Sequence, residues 1–397
     1  MICRKGLVDV FLFLVSATEY DYIIAGGGLA GLSLAHRLSQ SSLRGARVLI
    51  IDRDEKSGND HTWCFWSDGP GAFDEAVFHR WKKLAFHTSE GDKLLLEIGK
   101  SGFEYRMVRS SDLYAFIFPV LRSNPGFEFL QADIRTVSDG AVETDAGNFS
   151  AKKLVFDSVT VPDYKDEGHH NLLQHFLGWT IKTEKGVFDT SEATLFDFRV
   201  EQRGECRFFY VLPLSSNQAL VEFTLFSKQL LERTEYEEHL RSYLSETFAG
   251  EDYEIVEKEA GVIPMSDFPH DQRPHSKVVR IGTAGGYVKP STGYSFSRTQ
   301  ERIEAIVTAL EQGEPVPAFE DRWKTYLDSV LLKVLENGEP PASSVFESLF
   351  RKNPPDRVLR FLDERTTVAE DLKLMSTVQL APFTLAAISE AAARIRK

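Results

Sequence analysis

The sequence predicts an α/β chain in which a parallel-sheet nucleotide half is interrupted by a strand-rich insert and closed by a helical tail. Three observations carry this. A strand, glycine turn, helix and second strand open the chain at 20–52; a strand and glycine turn return at 278–286; and the stretch 175–227 between them is dense in alternating and aromatic strand patterns. Strands separated by helices mark a parallel sheet, whereas successive short alternating strands mark an antiparallel one.

Taken in order, residues 20–25 (YDYIIA) read as a buried strand, 29–40 as a helix and 46–52 (ARVLIID) as a second buried strand. Residues 84–97 and 103–109 read as strands, 110–122 as a helix, 127–156 as strands and turns, and 227–247 as a charged helix. After the return at 278–286 a helix is expected over about 294–312. The tail from 317 is mainly helical, interrupted at Pro340-Pro341 and Pro354-Pro355. The division expected is an N-terminal extension (1–19), a discontinuous nucleotide-binding domain (20–160 and 255–315), a strand-rich substrate-binding domain (161–254) and a helical C-terminal region (316–397).

Composition bounds the function. A chain of 397 residues with 42% hydrophobic and 26% charged residues builds an ordinary globular core. The net charge of −13 argues against nucleic acid, which needs a basic face, but leaves a membrane surface open. Cys3, Cys64 and Cys206 have no paired spacing, so neither a disulfide framework nor a metal site is expected, and a reducing cytoplasm fits. The 29 phenylalanines suit either a core or a tunnel for a long apolar substrate. At the N-terminus, Arg4 and Lys5 precede an apolar run from Leu7 to Val15, a pattern like that of a signal peptide. The run is too short to span a bilayer, which takes about 20 residues, and cleavage near Ala17 would leave almost nothing before the first strand. It reads as a loosely attached extension.

Gly26, Gly28 and Gly31 form GxGxxG between strand and helix, and Asp52 ends the next strand 21 residues later. The first glycine permits the turn, the second lets a pyrophosphate approach the backbone, the third lets helix and strand pack closely, and the acid accepts from ribose hydroxyls. The register of all these parts reads as a Rossmann-type dinucleotide site. The second glycine segment, Gly282, Gly285 and Gly286 through Pro290 to Gly293, leads into a helix whose N-terminus favours negative charge on a reduced flavin, which points to FAD. Flavoproteins usually carry Asp where this chain has Thr283, a departure from ordinary flavin redox chemistry. Arg109, at a strand-to-helix junction, resembles an arginine that contacts the cofactor in this fold; a surface ion pair fits it equally.

Several segments together resemble the bacterial-type lycopene cyclase family. They are the glycine turn at 26–31, His61-Thr-Trp-Cys-Phe-Trp66, Gln174-His-Phe-Leu-Gly-Trp179, Leu220-Val-Glu-Phe-Thr-Leu-Phe226, Ala284-Gly-Gly286 through Pro290-Ser-Thr-Gly-Tyr294, and Asn353-Pro-Pro with Phe361-Leu-Asp-Glu364. The likeness covers roughly residues 20–385, and Thr283 does not depart from it. It implies an isomerase that closes the ψ ends of lycopene and related acyclic carotenoids into β rings, with no net redox change. It also implies that FAD acts in its reduced form, with NAD(P)H as reductant. Such chemistry needs an acid for a hydrocarbon C=C, stabilisation of a tertiary carbocation, a base, and exclusion of water.

Glu222 matches the glutamate of the family's strand motif. It sits among Leu220, Val221, Phe223, Leu225 and Phe226, an apolar setting that would raise its pKa and keep it protonated; a pair with an arginine, or a strand-edge position, is the competing reading. Asp197 is a second carboxylate, suited to shuttle the proton or simply to pair with Arg199. Trp63, Phe65, Trp66 and Trp179 would line the tunnel and stabilise the cation through their ring faces, or serve as core. Asp60 and His61 are expected to orient their loop. The reduced flavin is an alternative base or cation stabiliser.

A membrane-dissolved substrate implies a cytoplasmic enzyme attached peripherally to the bilayer. Ser344 with Glu347 has capping-box spacing, and Val345, Phe346, Leu349 and Phe350 share a helical face followed by Arg351 and Lys352. That face suits docking on a bilayer or packing on a core; Leu380 to Leu385 is a second docking candidate. Two competing functions share these features: a flavin monooxygenase or oxidoreductase acting on an apolar polyene, and a polyene- or flavin-binding carrier without turnover. A carrier has no need of a buried acid.

Overall fold

The computed structural model describes residues 19–164, 168–248, 250–270 and 276–396. The signal-peptide-like run at 7–15 and Cys3 lie outside them. The chain opens with β1 (Glu19–Ala25), α1 (Leu29–Gln40), β2 (Val48–Asp52), β3 (Thr62–Ser67), β4 (His79–Trp81), β5 (Leu84–His87), β6 (Lys93–Leu96), β7 (Glu104–Arg109) and α2 (Ser110–Arg122). It continues with β8 (Phe127–Gln131), β9 (Ile134–Ser138), β10 (Ala141–Thr144), β11 (Gly147–Asp157), β12 (Asn171–Thr183), β13 (Ala193–Asp197), β14 (Cys206–Ser215) and β15 (Gln218–Ser227). Then come α3 (Arg233–Thr247), β16 (Tyr253–Ser266), β17 (Val278–Arg280), α4 (Phe296–Gln312), α5 (Arg322–Asn337), α6 (Ala342–Lys352), α7 (Pro355–Leu362), α8 (Val368–Met375) and α9 (Leu380–Arg396).

Two large sheets organise these elements. The first runs β8-β2-β1-β11-β10-β9, with β17 also on β11, and its strands β8, β2, β1, β11 and β17 are parallel. Ile23, Ile24, Ile50 and Ile51 are fully buried, as central strands with both faces covered require. The second sheet runs β16-β12-β15-β14-β13-β5-β6 and is antiparallel except where β13 meets β5. It draws on more of the chain than the stretch 161–254 expected for the insert: β5 and β6 come from the first half and β16 from beyond 254. These pairings join segments a hundred residues apart, which local patterning does not encode. A small third sheet, β3-β7-β4, lies among the same elements.

The faces of the second sheet are set by the period-2 alternation of its strands. On β15, Val221, Phe223 and Leu225 pack with Leu240 and Tyr243 of α3, while Leu220 and Phe226 belong to the core shared with the C-terminal helices. That second core settles the nature of α6. Val345, Phe346, Leu349 and Phe350 are all buried, and Phe346 stacks on Phe196 with ring centroids 5.1 Å apart. The helix expected as a docking candidate is a core helix, and Ser344 lies inside it, behind an N-cap at Pro341. Leu380 and Leu385 of α9, by contrast, are 61% and 70% exposed. Among the described residues no helix is long and apolar enough to cross a membrane.

Buried ion pairs fasten the tail. Lys324 of α5 donates to Asp371 of α8 at 2.7 Å. The His170 ring, at the start of β12, contacts Glu336 of α5 at 2.8 Å and Glu390 of α9 at 3.1 Å. Burial opposes charge on that imidazole, but Glu336, Asp267 and Glu390 outweigh it and its pKa is raised.

Candidate active site

The glycine turn after β1 has the form of a phosphate cradle. Gly26 has φ +106°, a left-handed-region conformation that favours glycine, and a Cβ there would strike Ser158 Oγ at 2.0 Å. A Cβ on Gly31 would meet the Gly26 carbonyl oxygen at 1.9 Å, so helix and turn touch backbone to backbone. Gly28 differs: it is the N-cap of α1, supplies no side-chain cap, and a Cβ there would meet nothing within 4 Å. The first N–H groups of α1 therefore open onto free space, the arrangement that binds a phosphate. Asp52 stands beside it and accepts from the Gly27 N–H at 2.6 Å and the Asp54 N–H at 2.9 Å, with Lys56 at 3.5 Å. A carboxylate has about four acceptor positions, so capacity for a ribose remains.

The second glycine segment meets the first. Gly282 opens a 3₁₀ turn, Gly282–Gly285, and a Cβ on it would lie 3.2 Å from the Ala30 Cβ of α1. Gly285 and Gly286 close that turn against the Arg280 carbonyl and His270 respectively. Gly293, at φ +77°, has no room for a side chain because Gln174 Oε1 would lie 2.1 Å from its Cβ. That oxygen is buried without a hydrogen-bond partner. The two glycine segments thus meet at the α1 N-terminus, and the open N–H groups of that terminus with Asp52 beside them fit the pyrophosphate and ribose of a dinucleotide.

Where Gly293 reaches the second sheet is a pocket of about 120 Å³, open on one side and lined by β3, β12, β14, β15, β16 and the turn Gly293–Phe296. Two glutamates, Glu222 and Glu259, line it. The register explains their meeting. Both sit opposite Gly178 of β12, Glu222 on the β15 side and Glu259 on the β16 side. A side chain at 178 would fill the space between them: its Cβ would lie 3.1 Å from Glu259 Cγ and 3.4 Å from Glu222 Cβ. Thr224 Oγ1 donates to Glu222 Oε1 at 2.6 Å, and Thr62 Oγ1 donates to Glu259 Oε2 at 2.7 Å. Burial first, and the neighbouring Glu259 second, push the Glu222 carboxyl well above the usual carboxylate range. Burial also raises Glu259, with the Thr62 and Glu222 hydrogen bonds opposing it. The pair is built to keep a proton in an otherwise largely apolar pocket.

Trp63 is half-buried and lines this cavity. Phe65 and Trp66 border the adjoining hollow, where Phe65 stacks on Phe296 at 4.0 Å and Trp66 meets Tyr294 edge-on at 4.6 Å. Trp179 is elsewhere: fully buried on the α3 face, it carries Arg241 and Lys258 over its ring. Asp197 is on that face too. Its carboxylate accepts from Arg199 Nε at 2.9 Å and Tyr243 Oη at 2.7 Å. Burial would raise its pKa, but these partners lower it overall. The structure thus does not bring Asp197 or Trp179 to Glu222; the alternation that points Glu222 inward points these two away. Arg109 pairs with Asp112 at 2.6 Å and lies over the Phe78 ring. Asp60 accepts from Tyr114 at 2.7 Å, and His61 stacks on Trp63, which orders their loop.

The tail motif closes the hollow. Glu364 accepts from Lys289 and Arg298, each at 3.0 Å, tying α7 to the second glycine segment. Neighbouring Asp363 is pushed up to about 8 by burial and by Glu301. Sequence reasoning did not place Glu259, Gly178, Tyr294 and Phe296 in the site, although Gly178 and Tyr294 fall within the family motifs. For the first two, the available signal was a glycine in a strand otherwise made of large residues, which marks a close approach.

The sequence profile described as "Lycopene cyclase protein" matches residues 21–388. The chain is 26% identical to the lycopene beta-cyclase of Pantoea ananas, over 90% of this chain and 94% of that one. It is 26% identical to the chloroplastic lycopene beta cyclase of Arabidopsis thaliana and 23% identical to the chloroplastic neoxanthin synthase of Solanum tuberosum. Those matches take in 73% and 74% of this chain but only 60% and 61% of the plant proteins. In fold it is similar to a flavoprotein/dehydrogenase from Cytophaga hutchinsonii, with TM-score 0.62 and 13% identity over 95% of this chain and 99% of that one. It is also similar to HpxO of Klebsiella pneumoniae, solved with FAD, with TM-score 0.58 and 14% identity over 87% and 98%.

Proposed function

The chain belongs to the lycopene cyclase family, and on that premise we propose that it is a lycopene β-cyclase that closes the ψ ends of lycopene into β rings by proton transfer. The observation that carries the reading is Glu222, a buried carboxyl lining a pocket whose wall includes Gly293 of the second glycine segment. A hydrocarbon offers no polar group, so only a proton held ready in a dry site can start the reaction, and a carbocation lasts only where water is excluded.

FAD, reduced by NAD(P)H, is the group that the Gly28 turn, Asp52 and the second glycine segment would hold, and it would supply negative charge beside a developing cation. The chain's own residues do the rest. Glu222 holds the proton; Trp63, Phe65, Trp66, Tyr294 and Phe296 exclude water and offer ring faces to positive charge. Arg109 is left with a supporting role through Asp112.

Access from a bilayer is supported by the outer face of the tail. Val368, Leu372, Leu380, Leu385, Ile388 and Ile395 are exposed there. The acids of the same helices are paired within the fold: Glu370 with Arg360 at the surface, and Asp371 with Lys324 and Glu390 with His170 in the interior. Lys373 lies on α8 as a partner for anionic headgroups, an arrangement that suits peripheral attachment.

The test is a count of reducing equivalents. Protein reduced with a limited amount of NAD(P)H and given lycopene in liposomes without oxygen is expected to close many rings per NAD(P)H. One NAD(P)H consumed per product molecule would overturn the reading in favour of an oxidoreductase acting on an apolar polyene.

A further inference from the structure

We propose that Glu259 is the base of the ring closure and Glu222 the acid, the two carboxyls returning one proton between them across the position left empty by Gly178. The inference rests on the cyclase reading above and adds a second reacting residue to it.

The chemistry asks for two groups. The carbon that gains a proton and the ring carbon that loses one are different atoms, so a single carboxyl would have to move between them within the lifetime of the cation. The cavity holds two carboxyls, and they come from strands on opposite sides of β12. Neighbouring strands are about 4.8 Å apart, so side chains two strands apart meet only by reaching over the one between. The residue between is glycine, and a Cβ there would press on both glutamates.

The surroundings divide the roles. Glu222 is the deeper of the two, 9% exposed, in a strand whose neighbours are apolar. Glu259 lies nearer the rim, held by Thr62, with His61 and Glu257 as its charged or titratable neighbours there. The other titratable groups lining the pocket are Cys64, Tyr105, Tyr210 and Tyr294, whose pKa values burial raises, so all stay neutral. Two carboxyls in contact share a proton, because like charges at that separation cannot both ionise. The proton rests on the deeper one, leaving Glu259 ionised.

The steps then balance. Glu222 gives its proton to the terminal C=C, whose π electrons form the new C–H bond. The π pair of the neighbouring C=C forms the ring bond. Glu259 takes a proton from the ring carbon, and the electrons of that C–H bond become the ring double bond. The proton passes from Glu259 to Glu222, and both are as they began. No electron enters or leaves, and no water takes part.

The experiment is Glu259→Gln in the full FAD-loaded chain, with lycopene in liposomes and pigments separated by ring type. We expect flavin occupancy to be retained and β-ring formation to fall by about 10²–10⁴-fold. The residual product should be enriched in rings with a displaced double bond or an added hydroxyl, because the cation forms but loses its proton elsewhere. In the parent protein the rate should fall on the acid side as Glu259 takes up a proton; in E259Q that limb should vanish, and Glu259→Asp should restore it. β rings at the parental rate with an unchanged pH profile would overturn the assignment. So would a slower variant that makes only β rings and keeps its acid limb, the mark of a merely supporting side chain. A parent protein that forms no β ring at all would overturn both this assignment and the cyclase reading.

Discussion

Glu222→Gln is expected to retain FAD and lycopene and to form little or no β-carotene. The substitution keeps the shape of the side chain and its hydrogen bond from Thr224, but removes the proton that can be given away. Loss of a general acid typically costs about 10²–10⁴-fold in rate. Here the cost belongs at the upper end, since a hydrocarbon has no other handle. Binding survives because the substrate is held by apolar contact. Glutamine is the neutral counterpart of a protonated Glu222 and can still donate to Glu259, so the variant should melt close to the parent. Asp197→Asn gives the contrast. It weakens the ion pair with Arg199 on the far face and should act on stability more than on turnover. Pigment analysis beside a flavin absorbance measurement separates the two, and cyclisation by E222Q at close to the parental rate would move the acid elsewhere.

The second large effect is expected from Gly28→Val: a folded protein without flavin. Gly28 has φ −80° and ψ −168°, extended backbone that any residue adopts, and nothing lies within 4 Å of its Cβ position. The fold has no reason to object. The space that the valine fills is the space in front of the first N–H groups of α1, where a pyrophosphate must lie. Gly31→Ala is the control with the opposite signature, since its Cβ would collide with the Gly26 carbonyl and cost stability. A Gly28→Val protein that retains full FAD occupancy would remove the dinucleotide assignment from this turn.

Much of this was legible because it is local. The order strand, glycine turn, helix, strand and acid at 20–52 is written in consecutive residues, and the structure places α1 at the expected 29–40. Glu222 stood out because a charged residue interrupts an apolar strand. Glu259 did not, because β16 carries Glu254, Glu257 and Glu259 in a run where acids look solvated. What turns Glu259 toward Glu222 is its register opposite Gly178, a pairing 81 residues away in sequence. For Trp179 and Asp197 the sequence left two readings open, and the structure has the core position and the Arg199 pair. Residue type suggests a tunnel wall or a proton shuttle, but the face of the strand decides, and the face follows from pairing partners far along the chain. Helix α6 illustrates a third limit. An apolar stripe followed by basic residues is the same pattern whether it meets lipid or core, and only the presence of Phe196 beneath Phe346 tells them apart.

The most direct test of proton-driven ring closure is the mass of the product formed in heavy water. Reduced protein equilibrated in D₂O, in excess over lycopene and without oxygen, is expected to give β-carotene carrying one deuterium in the first ring closed, with no oxygen added and no double bond saturated. Rings closed without deuterium, or a product heavier by oxygen or by added hydrogen, would contradict the account.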